Sequence, residues 1–287
     1  MHDQAEVLRK KALDTARQPK TIAVISGKGG VGKSNFSLNF SISLGQQGSR
    51  ILLIDFDIGM GNIDILLGNS SPHTMADYLT SDVTLDQTIV KGTEGVDYIA
   101  GGSGLNYLIN LDFSRVDQFI EDLQGLITHY DYLIFDMGAG MDRDTQSVLL
   151  SVNEIIVITT PEPPAMMDAY AVMKYIHHLN PNIPFYLVAN RVSSVKEGKE
   201  TLARLSEVLE RFLGKKPVQL GLLPDDHNVV QAVKRQIPFL ILNRKSPVSK
   251  AIVNLTERYL RDLTEDPFSR LGITFTARLK QFLFERQ

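Results

Sequence analysis

No cysteine occurs among the 287 residues, which excludes disulfide bonds, thiolate metal centres and a cysteine nucleophile. No apolar run approaches the roughly 18 residues a membrane-crossing helix needs, and the first residues are polar and charged where a secretory leader would be apolar. Basic residues are scattered, with no run of five, and 30 Lys and Arg against 33 Asp and Glu leave a net charge of −3. Bulk charge therefore advertises no nucleic-acid partner, and only a local patch could hold DNA. The expected location is the cytoplasm. At 43% hydrophobic residues the chain can bury a substantial core, and its length suits one large domain.

What is present begins with Gly27-Lys28-Gly29-Gly30-Val31-Gly32-Lys33-Ser34, which fits the phosphate-loop pattern G-x-x-x-x-G-K-[ST]. The apolar, β-branched run at 21–26 predicts a buried parallel strand before it, and 35–47 predicts a helix after it, which is the context that pattern requires. Glycines let backbone N–H groups approach phosphate oxygens, and the helix N-terminus adds positive partial charge. Lys33 would reach the β- and γ-phosphates, and the Ser34 hydroxyl would bind Mg²⁺. Lys28 is an extra ammonium inside the loop. Facing a second subunit, it could act on the partner's nucleotide as an arginine finger does.

Strand-like runs at 50–55, 96–100, 131–136, 155–160, 184–190 and 217–221 alternate with helix-length amphipathic segments. That alternation predicts an α/β fold, a mostly parallel twisted sheet with helices on both faces. Pro19 separates a short charged segment, 1–18, from the domain at 19–266, and after Asp266-Pro267 residues 267–287 predict a further helix. In such sheets ligands bind beyond the carboxyl ends of the strands.

Those ends carry the chemistry. Asp55 and Asp57 close the second strand, where one carboxylate can orient an attacking water and its neighbour can hold Mg²⁺. Asp136 ends an apolar strand in the Walker B form and would complete the metal shell, while Gly138 and Gly140 behind it could offer N–H groups to the γ-phosphate and release them after hydrolysis. Asn190-Arg191 and Leu223-Pro224-Asp225 should frame the base. Guanine recognition calls for an acid three positions after the asparagine, where this chain has Ser193, so adenine is favoured. His177 and His178, adjacent on a helix, point about 100° apart and do not suit one ion.

The doubled lysine of the loop and the Asp55–Asp64 segment resemble the MinD/ParA class of dimerising ATPases. That resemblance implies ATP and Mg²⁺ as ligands, Asp57 as the water-orienting residue, Asp55 as support for the metal, Asn190 at the adenine edge and the Pro224-Asp225 backbone against it. It also implies Glu162 on the ribose across a homodimer interface, with Asp168 nearby. Gly61 stands where MinD proper tends to carry arginine. Iron–sulfur relatives are excluded by the missing cysteines.

The two ends narrow the resemblance. On a helix from 271 to 286, Leu271, Phe275, Leu279, Phe282 and Leu283 share a face, and 270–287 holds four basic residues against one acidic. This predicts an interfacial helix for anionic lipid at the inner face of the cell membrane, weak in one copy and stronger in two. Asp3-Gln4-Ala5-Glu6-Val7-Leu8-Arg9 is similar to the D-Q-A-x-x-L-R motif of the FlhG/YlxH (FleN-like) flagellar-number ATPases. There it engages FlhF, a signal-recognition-particle-type GTPase, which implies GTPase activation by Asp3, Gln4, Ala5, Leu8 and Arg9, with flagellar basal-body components as further partners. A ParA-like partition ATPase that binds DNA as a dimer is the alternative, but it would need a lysine cluster stronger than Arg9-Lys10-Lys11 and Lys215-Lys216.

Overall fold

Eight short apolar segments pair into one sheet: β1 Lys20–Ile25, β2 Ile51–Phe56, β3 Ile89–Lys91, β4 Val96–Ile99, β5 Tyr132–Met137, β6 Glu154–Thr159, β7 Phe185–Val192 and β8 Val218–Pro224. The computed structural model that gives this sheet describes residues 18–57, 61–102, 113–138, 143–265 and 274–284. Strand order is β3-β4-β2-β5-β1-β6-β7-β8, parallel throughout except for the antiparallel β3–β4 pair at one edge. Successive residues point to opposite faces. Ala23, Ile25, Leu52 and Ile54 therefore join one apolar cluster, and Ile22, Val24, Ile51 and Leu53 the other.

The helices are α1 Lys33–Gln46, α2 Ile63–Leu67, α3 Met75–Thr80, α4 Leu85–Thr88, α5 Phe113–Ile127, α6 Arg143–Ser151, α7 Pro163–Leu179, α8 Val195–Leu213, α9 His227–Arg235, α10 Phe239–Leu242, α11 Pro247–Glu265 and α12 Phe275–Phe284. Phe36 and Phe40 of α1 and Ile252 and Tyr259 of α11 fill one face, while α5, α6, α7, α8 and α12 contribute to the other. Among the described residues no helix is long and apolar enough to cross a membrane. Strand boundaries differ from the sequence reading mainly at β8, which runs on to Pro224. The edge strand β3, three residues long, was not expected, because so short a run shows no periodicity.

Of the apolar face expected to meet lipid, Phe275, Leu279 and Phe282 are already packed on the domain, and Leu271 lies outside the described residues. Phe275 and Leu279 are 4% and 2% exposed, and Phe282 packs on the same cluster. The Phe275 ring lies 5.3 Å from that of Phe135 on β5. The tail helix thus sits on the domain with its greasy side inward, and reaching a bilayer requires it to leave. Leu283 lies on α12, with its side chain outside the described set. Asp3, Gln4, Ala5, Leu8, Arg9 and Gly140 also lie outside the described residues.

Candidate active site

The centre of the sheet positions the phosphate loop. Residues 26–32 connect β1 to α1 beside the carboxyl ends of β5 and β6, with β2 on the far side of β5. Gly32 has φ 94°, and a Cβ there would stand 2.4 Å from Asn190 Nδ2, so only glycine fits. Gly27 leans on the α7 backbone, where a Cβ would lie 2.1 Å from the Asp168 carbonyl carbon. Outward the loop is open: a Cβ on Gly29 or Gly30 meets nothing within 4 Å. Ser26 Oγ donates to the Lys28 carbonyl at 2.9 Å and steadies the turn. Val31 is buried beneath it, while Ser34 is half-buried at the start of α1.

Lys33 Nζ donates to Asp136 Oδ1 at 3.0 Å, and Ser37 Oγ donates to the same oxygen at 2.9 Å. Asp136 Oδ2 is buried without a partner. A buried acceptor left open is costly, and here it points to a missing donor such as a metal-bound water. Ser37 went unnoticed in the sequence; its only signal is its place one helical turn after Lys33.

Asp55 and Asp136 are register partners on β2 and β5. Burial first, and then the Asp136 charge, push the Asp55 carboxyl up to about 7 against the pull of three backbone N–H groups. Asp57 is half-buried and also raised, by burial foremost, with Lys33 opposing and Asp136 reinforcing. A Cβ on Gly138 would sit 3.0 Å from Asp57 Oδ1. The expected water-orienting carboxylate therefore lies beside Gly138.

On the other side of the loop, Gly32, Asn35, Asn190, Pro224 and Asp225 line a cavity of about 590 Å³. The two strand ends expected to frame a base do meet there. Val229, Val233 and Phe239 give it an apolar wall that the sequence reading missed. Asn190 Nδ2 donates to the Val31 carbonyl at 2.7 Å, and its Oδ1 accepts from Arg191 N at 2.9 Å. The asparagine therefore ties the base cavity to the phosphate loop. Ser193 turns away to Glu197, 2.7 Å between side chains.

Lys28 and Glu162, both exposed, stand 3.9 Å apart on the same chain. Asp168 is the α7 residue whose backbone carries Gly27. The three residues assigned to an interface thus surround the open mouth of the loop. His177 and His178 have ring centroids 6.3 Å apart.

Comparison with known proteins bears on this arrangement. The family model described as AAA domain matches residues 19–185. The antiactivator FleN of Pseudomonas aeruginosa is 31% identical over 226 residues, 79% of this chain and 81% of FleN. The flagellum site-determining protein YlxH of Helicobacter pylori is 36% identical over 202 residues, 69% of this chain and 67% of YlxH. Among solved structures, the septum site-determining protein MinD of Pyrococcus horikoshii, complexed with Mg-ADP, shares the fold at TM-score 0.71 and 24% identity, covering 88% of this chain and all of MinD.

Proposed function

This chain belongs to the MinD-like P-loop ATPases of the FleN and YlxH branch, and from that premise we infer an ATP-hydrolysing switch that controls flagellar number and placement. Its ligands are ATP and Mg²⁺. The observation that carries the reading is the Lys33–Asp136 pair with its open Oδ2 on one side of the phosphate loop and the base cavity on the other. Ser34 and Asp136 would hold the metal, which supplies positive charge against the phosphates when bound. Lys33 leaves Asp136 to follow the β- and γ-phosphates, and Asp57 orients the attacking water. Adenine enters the cavity beside Asn190 and the Pro224-Asp225 turn, with Ser193 offering no acid to read guanine.

ATP-bound chains pair face to face, with Lys28 reaching the partner's nucleotide and Glu162 and Asp168 at the interface. Pairing doubles the number of α12 helices, and two weakly binding helices on one particle hold anionic lipid far better than one. The chain then sits peripherally on the inner face of the cell membrane. Its amino-terminal segment, through Gln4 or Arg9, stimulates a signal-recognition-particle-type flagellar GTPase resembling FlhF, and basal-body components are further partners.

Cosedimentation with vesicles of anionic phospholipid tests the membrane arm. The expected result is sedimentation with Mg·ATP and little with ADP or no nucleotide. Equal sedimentation in all three states, or ATP-dependent binding to DNA in place of lipid, would overturn it.

A further inference from the structure

Asp55 is fully buried, and both of its carboxylate oxygens face backbone. Oδ1 accepts from Asp57 N at 3.1 Å, and Oδ2 accepts from Asn62 N at 2.7 Å and from Ile63 N at 3.1 Å. One side chain at the end of β2 thus reaches seven and eight residues ahead and ties the start of α2 to the end of that strand. Close backbone walls in the Asp55 carboxylate. A Cβ on Gly61 would lie 3.0 Å from Asp55 Oδ2, and one on Gly101 would lie 3.0 Å from the Asp57 carbonyl oxygen and 3.3 Å from Asp55 Cγ. Gly61 N donates back to the Gly102 carbonyl at 3.4 Å. A Cβ at 61 would thus press on the Asp55 carboxylate and, at 3.2 Å, on the Gly101 backbone.

A carboxylate that binds a metal directs its lone pairs at the ion, whereas one that accepts several N–H groups fixes a backbone. Asp136, next to Asp55 in register, keeps an unengaged buried oxygen, while Asp55 does not. The two aspartates therefore divide the work. We propose that Asp55 is a positioning residue for hydrolysis rather than a metal ligand: its carboxylate, accepting from Asp57 N, Asn62 N and Ile63 N, fixes the backbone at Asp57 and holds that side chain beside Gly138 and near Lys33. The inference rests on the reading that this site hydrolyses ATP, with Asp57 the group that touches water.

The test is Asp55→Asn, in which one acceptor oxygen becomes an NH₂ facing N–H groups. We expect kcat to fall tenfold or more while ATP affinity and the Mg²⁺ concentration for half-activation stay within twofold of wild type. Amide hydrogen exchange at Asn62 and Ile63 should accelerate at least tenfold, a readout that needs no turnover. Gly61→Ala, which keeps the carboxylate and crowds its cradle, should likewise lower kcat without moving the Mg²⁺ dependence, and it decides the matter if Asp55→Asn does not fold. A Mg²⁺ requirement raised tenfold, with kcat recovered at high Mg²⁺, would make Asp55 a metal ligand and overturn the proposal. Unchanged exchange at Asn62 and Ile63 would overturn it as well. A wild-type chain that binds Mg·ATP without turning it over would instead count against the hydrolytic reading.

Discussion

Lys33 and Asp136 hold each other where a phosphate and a metal ion would draw them apart. In the low-dielectric interior such a pair is maintained by extra hydrogen bonds, and Ser37 supplies one. Asn190 is the other residue with two duties, since the amide that frames the base cavity also holds the loop at Val31. Asn190→Ala should weaken ATP binding about tenfold, the ~1.4 kcal/mol of one lost polar contact, and calorimetric titration with a non-hydrolysable analogue measures it. Undiminished affinity would mean that the amide is dispensable. Gly27 to Ser34 were legible in the sequence because the pattern fixes type and spacing together, whereas Asp136 and Asn190 stood out only as polar residues ending apolar strands. Strand position alone does not separate Asp55 from Asp57, since both end one strand; the resemblance gave water to Asp57 and the metal to Asp55, and the N–H groups of Asn62 and Ile63 on the Asp55 carboxylate are what the sequence did not show. Ser37 was illegible because a serine inside a helix looks the same whether or not its hydroxyl has a target.

At the level of elements, α12 is the helix proposed to meet a membrane. Its periodicity told which face is apolar but not what covers it, because amphipathicity is the same for a helix docked on protein and one laid on lipid. The seat is well filled by Phe275 and Leu279, yet Arg278 on the same helix has Nε and Nη2 buried without partners, and burial draws its guanidinium down from the usual range. Desolvating that charge opposes docking. Arg278→Met should therefore raise the melting temperature and weaken ATP-dependent vesicle binding. Phe275→Ala should do the reverse for stability, costing about 3–5 kcal/mol if the site cannot collapse. Thermal denaturation beside vesicle cosedimentation checks both variants, and an Arg278→Met chain that melts earlier would contradict the account. The edge strand β3 and the short helices α2, α3 and α4 were also unread, being too brief for a periodic signal.

For the whole molecule, the alternation of apolar strands with amphipathic helices was enough to specify a parallel sheet covered on both sides, because burial on both faces requires continuous apolar strands. Strand order was not legible, and it is what matters to the site. With β5 between β1 and β2, Asp136 stands beside both Asp55 and the phosphate loop. That side of the molecule carries Lys28 and Glu162 exposed and leaves the loop open above Gly29 and Gly30, which is where the proposed second copy would sit. The central claim is that ATP completes it with a second copy. Light scattering on Asp57→Ala with saturating Mg·ATP measures this most directly, because blocked hydrolysis preserves the bound triphosphate. The account predicts a particle of twice the 32.0 kDa chain mass, reverting to one chain when Lys28→Ala is added. A monomer under saturating ATP, or an undiminished dimer without Lys28, would contradict it.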